Sequence, residues 1–250
     1  MPTPNPVAFH IFGIDIMWYG IIIAAAMVLA VIIIYARGPV HGIKSEKTLD
    51  FVLIAVPVGV IGARLYYVVF NWDYYAGDIF KIINIRSGGL AIHGGLIFGF
   101  LTAALLCKLW NIRPLNLLDL AAPAVALAQS VGRWGNYFNS EAHGGPTDLP
   151  WAIPVDGQMV HPTFLYESVW CFLLFLILLY VDSNRKFEGQ TFLIYGILYS
   201  FERFFVEHLR TDSLMLGPFK QARVLSAVVF ILFIIVYLHL KRKSRNRIFY

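Results

Sequence analysis

Leu117–Val131 reads Leu-Leu-Asp-Leu-Ala-Ala-Pro-Ala-Val-Ala-Leu-Ala-Gln-Ser-Val, and Gly132–Gly144 follows as Gly-Arg-Trp-Gly-Asn-Tyr-Phe-Asn-Ser-Glu-Ala-His-Gly. The first half is apolar enough for a membrane interior. The second places Arg133, Asn136, Asn139 and Glu141 directly after it. Polar groups at the edge of a bilayer need partners or a task, so this junction predicts both a membrane fold and the position of its chemistry.

The rest of the chain supports the membrane reading. Of 250 residues, 58% are hydrophobic and only 14% charged, with a mean hydropathy of +0.67, outside the range of a soluble domain. Apolar runs of roughly the 20 residues needed to span a bilayer are read at Ile16–Ala36, Leu49–Phe70, Gly89–Trp110, Leu117–Val131, Leu165–Val181, Gln190–Val206 and Ala222–Leu240. The expected fold is an all-α integral membrane protein, one polytopic domain over residues 1–250 with about seven transmembrane helices. Asp15 precedes the first run without a basic segment and Arg37 follows it, so a spanning helix is expected there in place of a cleavable signal peptide.

Basic residues set the expected orientation. One side collects Arg37, Lys44, Lys47, Lys108, Arg113, Arg185, Lys186 and the tail Lys241, Arg242, Lys243, Arg245 and Arg247; the other has Lys81, Arg86, Arg133, Arg210, Lys220 and Arg223. The richer side is expected to be cytoplasmic. The N-terminus is then outside, the C-terminus cytoplasmic, and residues 132–162 the largest outward connection. Tyr19, His93, the Arg133–Glu141 cluster, Arg203 and Glu207 all come to the outer face. The net charge of +5 therefore reports topology and not nucleic-acid binding, and the basic tail is expected to touch anionic lipid heads.

Each polar motif carries a bland reading beside a functional one. Arg133 fits a phosphodiester bidentately, or pairs with Glu141 to close a loop. Tyr199, Arg203 and Glu207 recur every four residues on one helix face; they form a site, or lock helix packing, and Glu202 is placed to neutralise Arg203. His93, in Gly-Gly-Leu-Ala-Ile-His-Gly-Gly, is a proton acceptor or a structural histidine. Arg64 supports the site or packs internally. Cys107 and Cys171 lie within apolar runs and read as buried side chains. The scattered histidines and the absence of paired Cys-x-x-Cys point away from a metal. The aromatic residues Trp18, Trp72, Trp110, Trp134 and Trp151 read as interface anchors.

The motifs together resemble the bacterial prolipoprotein diacylglyceryl transferase family. They are residues 132–144, His-Gly-Gly at 93–95, Trp-Tyr-Gly at 18–20, His-Pro-Thr-Phe-Leu-Tyr-Glu at 161–167, and Tyr199, Arg203 and Glu207. The resemblance implies a seven-span inner-membrane enzyme. It moves the diacylglyceryl group of phosphatidylglycerol onto the lipobox cysteine of a preprolipoprotein, forming a thioether and releasing glycerol phosphate, the first step of lipoprotein maturation. The implied site residues are Tyr19, His93, Arg133, Asn136, Asn139, Glu141, Gly144, Tyr199, Arg203 and Glu207. Ser200, Phe201 and Glu202 depart from the small or apolar residues many members carry there. His93 is the expected base, Arg133 the headgroup ligand and Arg203 the ligand of the phosphate or leaving group. Asn136, Asn139 and Glu141 are expected to orient Arg133 and the glycerol hydroxyls, with Tyr19 positioning the lipid. No cofactor is implied. The competing reading is a transporter or lipid flippase using the same charges, against which stand their clustering at one face and the lack of paired broken helices.

Overall fold

A 20-residue helix covers about 30 Å, the thickness of a bilayer core, and the computed structural model is built on elements of that length. It describes residues 5–85 and 88–247, so Arg86, counted above for orientation, lies outside the described residues. In chain order the elements are β1 (Val7–Ile11), β2 (Ile14–Met17), α1 (Trp18–Arg37), α2 (Ser45–Phe70), α3 (Trp72–Tyr75), α4 (Ile79–Ile83), α5 (Ile92–Leu109), α6 (Pro114–Phe138), β3 (Ile153–Val155), β4 (Gln158–Val160), α7 (Thr163–Ser183), α8 (Gln190–Leu209), β5 (Met215–Leu216), β6 (Phe219–Lys220) and α9 (Gln221–Arg247). Among the described residues, six of the seven long helices have the length and apolarity to cross a membrane. The remaining one, α8, has spanning length but carries Glu202, Arg203 and Glu207.

Three two-stranded antiparallel hairpins interrupt the expected all-α fold. Ile16 does not open the first span, because it pairs with Phe9 across β1 and β2 and the helix starts at Trp18. The two-residue alternation Phe9-His10-Ile11 was the sequence signal. Asp156 and Gly157, both at positive φ, form the turn between β3 and β4, as Asp-Gly commonly does. The fourth span is also longer than expected, running through Arg133 to Phe138 and not ending at Val131. Pro114 suits its first position, and the polar residues near its end find partners inside the fold.

The chain divides into two compact units. One is Ile34–Leu117; the other gathers the chain on either side of it. In the first, α2 and α5 cross where small residues let backbones approach. A Cβ on Gly94 would run into the Gly62 carbonyl and the Tyr66 Cβ, and Ala91 N donates across to Ala63 O at 3.0 Å. His41 and Asn116 exchange two hydrogen bonds, at 3.0 and 2.7 Å. In the second unit, α6, α7 and α8 share a core of Ala122, Ala126, Leu174, Phe175 and Leu178. Half of the spanning window of α6 is buried, against 6% for α1 and α9. The centre of this unit is therefore α6, and α1 and α9 are its apolar-faced outer helices.

Candidate functional site

The four-residue spacing of Tyr199, Arg203 and Glu207 is realised on α8, where Arg203 Nη2 lies 2.7 Å from Glu207 Oε2. The opposite edge of the Arg203 guanidinium meets Glu167 Oε1. Glu167 comes from the first turns of α7 and is 1% exposed. Its other oxygen lies 3.0 Å from Arg133 Nη1 on α6, within ion-pair distance but without hydrogen-bond alignment. Arg133 Nη2 reaches Tyr199 Oη only at 3.5 Å. One buried carboxylate thus joins two guanidiniums from two other helices.

The exposure is uneven: Arg133 and Arg203 keep 19% and 18% of their side-chain surface while Glu167 keeps 1%. A guanidinium has five N–H donors, and one shared carboxylate cannot occupy both sets. Among the described residues Arg133 pairs with Glu167 and not with Glu141, and Arg203 pairs with Glu167 and Glu207 and makes no ion pair with Glu202. The Glu202 side chain is buried, and neither carboxylate oxygen has a hydrogen-bond partner among the described residues.

Asn136, Asn139 and Glu141 form a second cluster. Glu141 Oε1 accepts from Asn136 Nδ2 at 2.9 Å and from Asn139 Nδ2 at 3.4 Å, so these residues orient one another, and among the described residues none of the three is hydrogen-bonded to Arg133. Ser140 and Ala142 adopt φ of 52° and 56°, a strained conformation for residues with a Cβ. The Thr163 hydroxyl donates to Ala142 O and holds the turn. Beside it a small cleft is lined by Asn136, Ser140, Glu141, His143 and Phe164, among others. Gly144 is required by space, because a Cβ there would lie 2.6 Å from His161 Cβ. Its N–H donates to His161 O at 2.9 Å, and Gly145 N to Leu209 O at 3.0 Å, tying the turn to the end of α8.

Helix α1 joins the same unit at the end of α6. Trp18 stacks on Phe138 at 5.2 Å, and Tyr19 lies so close to Gly135 that a Cβ there would be 2.8 Å from the ring. Trp134 Nε1 donates to Ser168 Oγ at 3.1 Å, while the tryptophan stays exposed. Just beyond α8, Arg210 forms a two-pronged pair with Asp212 at 3.0 and 2.7 Å. That hydrogen bonding holds the Asp212 carboxyl below the usual carboxylate range. Lys220 Nζ donates to the carbonyls of Glu207, His208 and Arg210, a cation on the exposed carbonyls of a helix end.

The Ile34–Leu117 unit holds His93, exposed in the first turn of α5 and stacked on Tyr66 at 6.1 Å. Arg64 packs internally, as one of its two readings expected. It donates to the carbonyls of Lys81, Ile82, Asn84, Gly88 and Gly89 at 2.5 to 2.9 Å. Cys107 and Cys171 are free and buried. Among the described residues, no group of three or more His, Cys, Asp or Glu side chains is placed to hold a metal.

Of the residues singled out from sequence, Arg133, Tyr199, Arg203 and Glu207 meet in one network, while Asn136, Asn139 and Glu141 form its neighbour on the α6 end. Glu167 was missed as a site residue, although it closes the quoted motif His161–Glu167.

Residues 6–239 match a family model described as prolipoprotein diacylglyceryl transferase. Among similar curated proteins, a phosphatidylglycerol–prolipoprotein diacylglyceryl transferase of Clostridioides difficile is 53% identical over 97% of this chain and 98% of its own length. Proteins of the same name from Finegoldia magna and Bacillus cytotoxicus are 49% and 44% identical, covering 95% and 94% of this chain and 96% and 93% of theirs.

Proposed function

The chain belongs to the prolipoprotein diacylglyceryl transferase family, and from that premise we propose how its residues divide the work of the reaction. It is a multi-pass bacterial membrane protein that transfers the diacylglyceryl group of phosphatidylglycerol to prolipoproteins.

The observation that carries the mechanism is the pair of guanidiniums linked by Glu167. The lipobox cysteine thiol gives up its proton, and the thiolate attacks the diacylglycerol carbon that bears the phosphate ester. A carbon–sulfur bond forms as the carbon–oxygen bond breaks, and glycerol phosphate departs with the bonding electron pair. Negative charge grows on the leaving phosphate, so preorganised cations stabilise that transition state most. Arg133 binds the headgroup phosphate and Arg203 the departing oxygen. Glu167 and Glu207 hold both guanidiniums at fixed positions, so little reorganisation is needed during the step. Tyr199 borders the phosphate, and Tyr19 positions the lipid beside Gly135. Glu141, steadied by Asn136 and Asn139, receives the headgroup glycerol hydroxyls, and Gly144 keeps this turn against the end of α8.

His93 takes the thiol proton in this scheme. The phospholipid brings its own leaving group, so no cofactor takes part. The site faces the outer side of the bacterial inner membrane, with the N-terminus outside and the C-terminus cytoplasmic.

The test is transfer of a labelled diacylglyceryl group from phosphatidylglycerol to a lipobox peptide by the purified protein. Product is expected to require both the peptide cysteine and Arg133. Transfer to a Cys→Ser peptide, or an unchanged rate for Arg133→Ala, would overturn this assignment. An unchanged rate at neutral pH for His93→Gln would remove His93 from the role of base.

A further inference from the structure

The start of α8 and the last turns of α9 enclose a groove that the transfer reaction does not use. It holds about 300 Å³ and is bordered by Lys186, Lys241 and Arg245. Its floor is the ring pair Phe187 and Tyr237, with centroids 5.5 Å apart, and Lys241 Nζ stands 5.8 Å above the Tyr237 ring. The walls are braced: Gln190 Oε1 accepts from Lys186 N at 2.7 Å, and Ser244 Oγ donates to Lys186 O at 3.2 Å. The second bond ties the end of α9 to the turn between α7 and α8.

Three cations converge here, and among the described residues no carboxylate lines the groove. None of the three has an ion-pair partner among the described residues, in contrast to Arg133 and Arg203. Cations held side by side repel one another unless an anion joins them. The surroundings indicate which anion. The groove lies at the end of α9, whose spanning window is 6% buried with a hydropathy of 2.4, so an apolar helix face leads away from the cationic mouth. Aromatic rings beneath a cluster of lysine and arginine at the end of a spanning helix suit a phosphate whose chains lie along that face.

We propose that this groove binds the phosphate of an anionic phospholipid, with its acyl chains along α9, as a site separate from the one where the donor lipid reacts. The separation follows from α8 itself. Gln190 opens that helix and Arg203 comes 13 residues later, which at 1.5 Å per residue is about 20 Å. The bound lipid spans α8 and α9 and reinforces their packing, while the catalytic arginines stay at the far end of α8.

The experiment counts lipids retained by purified full-length protein in native mass spectrometry. Phosphatidylglycerol, phosphatidylcholine and inorganic phosphate are titrated separately, with the variant Lys186→Ser/Lys241→Ser/Arg245→Ser alongside. The wild type is expected to retain one more phosphatidylglycerol than the variant, and each single substitution to weaken that binding about fivefold. Phosphatidylcholine should not fill the site. The variant should keep the wild-type melting temperature in phosphatidylcholine and the wild-type transfer rate. Equal phosphatidylglycerol counts in wild type and variant would overturn the site. Equal retention of phosphatidylcholine, or occupation by inorganic phosphate at the concentration where lipid binds, would overturn the anionic-lipid assignment. Loss of transfer in the folded variant would overturn the separation from the catalytic centre.

Discussion

Helices α6, α7 and α8 carry two buried carboxylate and arginine clusters, one near each end, and the two are built on opposite principles. At one end Asp119 of α6 is fully buried and accepts from Gly189 N at 2.7 Å and Phe192 N at 2.9 Å. Arg185 lies 3.6 Å from it and 3.8 Å from Asp182, which accepts from Thr191 Oγ1. At the other end Glu167 of α7 meets side-chain donors, Arg133 and Arg203. Asp119 takes backbone N–H groups at the start of α8, which would otherwise be orphaned, and so ties α6 to α8. Around Glu167 the donors outnumber what the carboxylate can accept; Arg133 and Arg203 keep 19% and 18% of their side-chain surface, much as Arg185 keeps 23%, so the two clusters differ in the donors each carboxylate receives and not in exposure. A cluster that closes on backbone is a fastener. One that closes on guanidiniums leaves donors for an external anion.

The comparison breaks most readily through the arginines. Arg203→Ala is expected to reduce transfer about 100- to 1000-fold, with the protein still extractable and folded; a loss below tenfold in the labelled-lipid assay would place Arg203 among the fasteners. Asp119→Ala should do the reverse. It removes the acceptor of two buried N–H groups and one of the carboxylates beside Arg185, costing about 2–6 kcal/mol of stability at 1–3 kcal/mol for each unsatisfied donor, read as a lowered melting temperature in detergent, while transfer per folded molecule stays near wild type. Glu202→Gln sharpens the boundary. With no donor on either carboxylate oxygen among the described residues, this near-isosteric change should alter transfer less than about tenfold, well below the loss for one cationic donor. A larger effect would bring Glu202 into the site.

The smallest effect concerns Arg210 and Asp212, at the exposed edge of the same unit. The folded carboxyl of Asp212 titrates below its unfolded value because of the Arg210 hydrogen bonds. The pair therefore contributes stability above the ordinary carboxylate range, and that contribution is lost as pH falls through the depressed folded value. The melting-temperature difference between wild type and Asp212→Asn should be present at neutral pH and vanish in acid. A difference that grew in acid would contradict the pairing.

Much of the scaffold was readable in advance because membrane helices announce themselves by length and apolarity. The seven runs fall on the seven long helices, and the four-residue spacing of Arg203 and Glu207 became their ion pair. The misreadings share a cause. Ile16 looked like the start of a span because apolar composition does not separate a lipid-facing helix from a short hairpin. Val131 looked like the end of one because Arg133 looks costly in lipid, yet Glu167, thirty-four residues away on α7, pairs with it. Glu167 itself was visible only as the last letter of a motif, with no local pattern marking it as the hub.

Local and compositional properties were therefore carried by the chain alone: the membrane class, the helical periods, the family and the short list of polar residues. Pairing was not. Whether Arg133 meets Glu141, eight residues away, or Glu167, thirty-four residues away, depends on how α6 and α7 pack. A helix turns neighbouring side chains to different faces and brings distant ones together by packing, so the partner of a buried charge is settled by three-dimensional contact and not by separation along the sequence.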